Sequence, residues 1–126
     1  MTPEEFFVGV PLGTAVVDRV REILAPLDVE IRVTRSQIAF RAERGFAWLW
    51  RPSMYLGKRG VDVVLAIALD RRDASARWKQ LVSPTPRMWM HHLEIRRIDD
   101  VDEDVAACLL EAARGAAQRR DRQSPS

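Results

Sequence analysis

Val61-Asp62-Val63-Val64-Leu65-Ala66-Ile67-Ala68-Leu69 carries a single charge, on Asp62. Side chains alternate along an extended chain, so Val61, Val63, Leu65, Ile67 and Leu69 fall on one face and Asp62, Val64, Ala66 and Ala68 on the other. A strand this apolar on both faces belongs inside a sheet, between neighbours. Upstream, Phe46 to Arg51 alternates Phe46, Trp48 and Trp50 against Ala47, Leu49 and Arg51, and Pro52 stops its pairing. Glu43-Arg44-Gly45 before it supplies a hairpin turn, since glycine accepts the positive φ that other residues avoid. Val29 to Val33 and Ile38 to Ala42 alternate in the same way. Downstream, Met88 to Arg96 sends Trp89, His91, Leu93 and Ile95 one way and Met90, His92, Glu94 and Arg96 the other. These are five strands, joined mostly by short turns.

Helical periodicity brackets them. Thr2-Pro3-Glu4-Glu5-Phe6-Phe7 reads as one turn with Thr2 as cap and Pro3 at the first helical position. Thr14 to Ala25 carries Ala15, Val16, Val20, Ile23 and Leu24 on one stripe and ends at Pro26. The last helix opens among Asp99, Asp100, Asp102, Glu103 and Asp104 and closes among Arg114, Arg119 and Arg120, the sign order its dipole favours. Its stripe is Val101, Val105, Cys108, Leu109, Ala112 and Ala116. Asp70 to Arg87 reads as a long irregular connection, with Pro84 and Pro86 breaking any helix begun in it. Two amphipathic helices cover one face of a sheet, so the expected fold is an α+β two-layer sandwich with the other face open. Residues 1–120 make its single domain, and 121–126, without an apolar anchor, are expected to be a disordered tail.

The 126 residues, 47% hydrophobic and 30% charged, suffice for one core and not for two. Cys108 is the single cysteine, which excludes an internal disulfide and a multi-cysteine zinc site and points to a cytoplasmic protein. The acidic opening does not read as a signal peptide, and no apolar run approaches the roughly 20 residues of a membrane span. No membrane partner and no cofactor are expected. Charge is uneven: residues 99–126 hold seven acids against four arginines, which leaves an excess of +5 on residues 1–98. Arg35, Arg41, Arg44, Arg51, Lys58 and Arg59 face only Glu43 there, a cluster suited to an anion. Eighteen of the twenty basic residues are arginine throughout the chain, so compositional bias explains the same cluster.

No complete catalytic or phosphate-binding motif appears. His91 and His92 point to opposite faces of one strand and cannot share an ion. His91 lies with Trp89 and Leu93 and reads as a buried histidine whose ring nitrogen caps another group. His92 and Glu94 share the open face and could serve as base and orienting carboxylate of a hydrolase acting on a phosphate-bearing substrate. A metal there would need a third ligand from Asp62 or Gln37. The open face is expected to carry Arg32, Thr34, Gln37, Ala39, Arg41, Ala47, Leu49, Asp62, Ala66, Ala68, Met90, His92 and Glu94, with the tryptophans of 46–51 in the core. Trp78, beside Arg77 and Lys79 in the long connection, reads equally as a lid or a packing anchor. The first expectation is a non-enzymatic binding module that holds an anionic ligand, a nucleic acid or a protein through Arg35, Gln37, Arg51, Trp78 and His92. A homodimer through the same face is another reading.

Thr34-Arg35-Ser36-Gln37-Ile38-Ala39-Phe40, Phe46-Ala47-Trp48-Leu49-Trp50-Arg51-Pro52 and Trp89-Met90-His91-His92-Leu93-Glu94 together resemble a bacterial domain-of-unknown-function family, the one numbered fifty-six fifty-five. The likeness extends to Phe6-Phe7, Tyr55-Leu56, Arg77-Trp78-Lys79 and the acidic start of the last helix. It implies the domain limits, a domain found alone or behind small modules, some nuclease-like, and no particular reaction. The element order is also similar to two-layer sandwiches of the frataxin and double-wing type, which implies a fold and not a function.

Overall fold

The computed structural model describes residues 1–52 and 61–123. The order is α1 (Pro3–Phe6), α2 (Pro11–Leu24), β1 (Glu30–Val33), β2 (Ile38–Arg41), β3 (Gly45–Trp50), β4 (Val63–Leu69), β5 (Gln80–Thr85), β6 (Met88–Ile95), a 3₁₀ turn (Ile98–Asp100) and α3 (Glu103–Gln123). The strands form one antiparallel sheet in the order β1-β2-β3-β4-β6-β5. The two long helices pack on each other and share one core with Ile38, Phe40, Leu49, Leu65, Ile67, Leu93 and Ile95. The chain is therefore the expected α+β two-layer sandwich, with β4 in the interior of the sheet and every residue from Leu65 to Leu69 buried.

The sheet has a sixth strand, β5, inside the segment expected to be irregular. It lies at the edge, where the missing N–H of Pro84 removes no interior ladder bond, and its register against β6 shifts between Val82 and Thr85. Since β6 sits between β4 and β5, residues 70–79 must cross β6. Six strands about 4.8 Å apart span roughly 24 Å, whereas two helices of about 10 Å diameter cover some 20 Å. The crossing segment covers the remainder, with Trp78 buried at 7% exposure.

Local chemistry fixes the helix ends. Thr2 Oγ1 accepts from the Glu5 amide at 3.1 Å and Glu5 Oε1 from the Thr2 amide at 3.0 Å, a reciprocal cap on α1. α2 begins at Pro11, three residues before the expected Thr14, because a proline needs no partner for an N–H in the first turn. Asp102 Oδ1 accepts from the Val105 amide at 3.0 Å and caps α3; that hydrogen bond first, and Arg77 beside it, hold the Asp102 carboxyl below its usual range. α3 buries Val105, Cys108, Leu109, Ala112 and Ala116 as its periodicity requires, and burial pushes the Cys108 thiol up. The helix extends to Gln123, past the start of the expected tail; residues 124–126 lie outside the described residues.

Gly13 shows how tightly α1 and α2 meet. A Cβ there would fall within the ring of Phe7, itself 1% exposed and edge-on to Phe6 at 4.9 Å. At Gly115 of α3 nothing stands within 4 Å of the same position. Gly to Ala in a helix ordinarily gains up to about 1 kcal/mol, while overpacking costs about 1–3 kcal/mol. Urea unfolding should therefore show Gly115→Ala stabilised and Gly13→Ala destabilised by about 1–2 kcal/mol; a gain at both positions would contradict the packing.

Candidate functional site

Adjacent histidines on β6 divide the molecule. His91 faces the helices and is fully buried. Its Nε2 accepts the Asp73 backbone N–H at 2.9 Å, so the ring proton sits on Nδ1, which donates to the Trp89 carbonyl at 3.0 Å. The Trp78 ring stands edge-on to it at 5.0 Å, and Trp78 Nε1 donates to Asp73 Oδ2 at 2.7 Å. That bond holds the Asp73 carboxyl below its usual range, with Arg71 adding to it. Arg71 in turn grips Glu111 of α3 through two bonds of 2.8 and 2.9 Å, and Arg77 grips Asp102 at 2.7 and 2.9 Å and Asp104 at 3.1 Å. The crossing segment is thus fastened to β6 and to α3. Trp78 is its packing anchor.

His92 faces the open side of the sheet. Cross-strand pairing aligns Ala39, Trp48, Ala66, His92 and Gln80 in one row, and Trp50, Val64 and Glu94 in the next. Trp50 Nε1 donates to Gln37 Oε1 at 3.1 Å, and the His92 ring meets the Trp50 ring edge-on at 5.2 Å. Ala39, Ala66 and Ala68 form a buried floor between half-buried Trp48, Trp50, Met90 and His92. The Trp48 ring and the Arg41 guanidinium both approach Gly45 at the start of β3.

The expected assignment of β3 is thereby reversed from Ala47 to Trp50, while Phe46, beside the register shift, stays in the core as expected. Ile38 pairs with Leu49 and Phe40 with Ala47, so Ala47 and Leu49 face the helices while Trp48 and Trp50 stand on the open face. Of the expected ligand-binding residues, the structure brings together Gln37 and His92, joined through Trp50. Arg35 is exposed in the turn between β1 and β2, which Thr34 Oγ1 organises by accepting from the Ser36 and Gln37 amides at 3.3 Å. Arg51 lies at the end of β3 and donates through Nη1 to the Phe6 carbonyl at 2.9 Å, tying that strand to α1. Trp78 lies under the helices. Arg41 and Arg44 stand at the opposite end of β2 from Arg35, so the described arginines of the 35–59 cluster divide between the two ends of the sheet; Lys58, Arg59, Tyr55 and Leu56 lie outside the described residues.

Burial first, with His91 beside it, holds the His92 imidazole below its ordinary value, so His92 is an uncharged ring at neutral pH. Glu94 faces Arg96 at 3.6 Å. Among the described residues no group of three His, Cys, Asp or Glu is arranged to hold a metal ion, and no helix is long and apolar enough to cross a membrane.

Fold and site together define a small two-layer α+β domain with one sealed sheet face and one open aromatic face. The chain belongs to the DUF5655 family, described as a domain of unknown function, whose profile matches residues 10–114. No curated protein and no solved structure matches it.

The His91 contacts carry a pH signature. Burial, ahead of the opposing hydrogen bonds to Ile67 and Trp89, holds its imidazole below the ordinary 6.5. As pH falls the unfolded chain therefore takes up the proton first, and stability drops below about pH 6.5. Asp73 and Asp102 are shifted below 3.8, so their contributions persist to more acid conditions and leave this window to the histidines. Urea midpoints should be lower at about pH 5 than at about pH 7.5, with a smaller drop in His91→Gln. Identical midpoints at the two pH values would contradict a neutral, buried His91.

Proposed function

We propose that the protein is a cytoplasmic, non-enzymatic binding module that takes single-stranded nucleic acid on its open sheet face. The observation that carries this reading is the Trp50 indole, held by Gln37 and His92 and left half-exposed over a floor of alanines. An aromatic ring fixed on a sheet surface offers an unpaired base a stacking platform, worth about 1–3 kcal/mol per base. Trp48 supplies a second ring one row away. Arg41 beside Trp48 and Arg35 at the β1–β2 turn supply cations at the margin for the phosphate backbone. His92 serves as a neutral ring in this surface.

The hydrolase reading with His92 and Glu94 receives no such support. A general base needs a partner that orients its ring, whereas the His92 ring meets Trp50 and the Glu94 carboxylate meets Arg96.

Anisotropy of a labelled oligothymidylate tests the proposal. Trp50→Ala should weaken binding about 5- to 150-fold, given the stacking energy, with the fold intact by circular dichroism. Arg35→Ala with Arg41→Ala should lower the salt slope by about 1.4, since each backbone contact to a single strand contributes roughly 0.7. Arg19→Ala with Arg21→Ala, on α2, removes the same charge and should leave the slope unchanged. Equal losses for the two arginine pairs would reduce the effect to general attraction. No binding at about 0.1 M salt would overturn the reading in favour of a protein partner or a second copy of the chain.

A further inference from the structure

A separate cleft of about 780 Å³ opens at the end of the sheet, between α3, the end of β4 and the turn joining β5 to β6. Three arginines reach it from segments far apart in sequence: Arg44 from the β2–β3 turn, Arg87 from the β5–β6 turn and Arg114 from α3. Two carboxylates, Asp70 and Glu111, also line it. Both Glu111 oxygens accept from Arg71, at 2.8 and 2.9 Å, which also meets Asp73 at 3.3 Å. Positive charge exceeds negative in the cleft. Its size falls within the roughly 300–1,000 Å³ typical of small-ligand sites.

The turn that presents Arg87 is held in place before any ligand arrives. Ser83 Oγ donates to the Thr85 carbonyl at 2.6 Å and also lies 3.1 Å from the Met88 carbonyl, and the Arg87 amide donates to Thr85 Oγ1 at 3.3 Å. Across the cleft, Gly115 leaves open space where another residue would place a side chain. Guanidinium groups bind phosphate oxygens through paired N–H donors, and the exposed Arg87 and Arg114 lining one cleft match a group of two or more negative charges better than an extended acidic peptide.

We propose that this cleft binds a small molecule carrying a phosphate or pyrophosphate group, held by Arg87 and Arg114 with Arg44 at its margin. The cleft adjoins the open face at Ala68, but its arginines are not those placed around Trp50, and neither proposal depends on the other.

Calorimetric titration with inorganic pyrophosphate is the test, because that probe has no base to stack on Trp50. Wild-type protein should bind it, and Arg87→Ala with Arg114→Ala should weaken binding about tenfold or more, since each hydrogen bond to a charged group contributes substantially. Both arginines are exposed, so the doubly substituted protein should unfold at the wild-type temperature. Gly115→Glu, which adds a carboxylate to the cleft on a helix position with free space, should abolish binding, whereas Gly115→Ala should retain it. Arg35→Ala with Arg41→Ala should bind pyrophosphate as the wild type does. A 5′-phosphorylated oligothymidylate provides the last arm: if Arg87 and Arg114 matter for the strand end while pyrophosphate fails to bind, the ligand is not a small molecule and the proposal fails. Failure of pyrophosphate to bind wild-type protein, or equal losses from the two arginine pairs, would also overturn it.

Discussion

The bond from the Asp73 amide to His91 Nε2 is the constraint on which the architecture turns. Because β6 lies between β4 and β5, the chain must cross β6 on the helix side and be held there. A half-buried backbone amide left without an acceptor would cost up to about 1–3 kcal/mol, and His91 provides that acceptor. The same ring gives its remaining proton to β6 itself, at Trp89. One side chain thus satisfies both its own strand and the segment lying over it. Trp78 then fills the space beside the ring, and Arg71 and Arg77 extend the attachment to α3.

Much of this was legible in the sequence because hydrophobic period reports burial directly. The two-sided apolar run around Leu65, the stripe of α3 and the opposite fates of His91 and His92 all follow from it. β5 was hidden because Pro84 and Pro86 argue against a strand unless its edge position is already known, and strand order is not a local property. The faces of β3 are hidden for a related reason. Alternation groups Trp48 with Trp50, yet only the pairing of Ile38 with Leu49 decides which side they occupy, and large aromatic residues normally indicate the core. Asp73 carried no signal at all, since its role is played partly by its backbone amide.

Sealing one face frees the other. The helices and the crossing segment bury the His91 side, so the fold does not require a cover over Trp50 and His92, and their half-exposed rings can be given to recognition. The arginines follow the same division. Arg51 and Arg77 hold elements together through a carbonyl or carboxylates, whereas Arg35 and Arg87 are exposed on turns ordered by Thr34 and by Ser83 and Thr85. A count of arginines in sequence cannot separate these groups; their partners do.

The division rests on the state of His91, and nitrogen chemical shifts of its imidazole read that state directly. The structure requires the Nδ1-protonated form in the native protein, with titration beginning only below the ordinary value of 6.5. An Nε2-protonated ring, or one that titrates at about 6.5 in the folded protein, would show that the crossing segment is not held on β6 and would contradict the account.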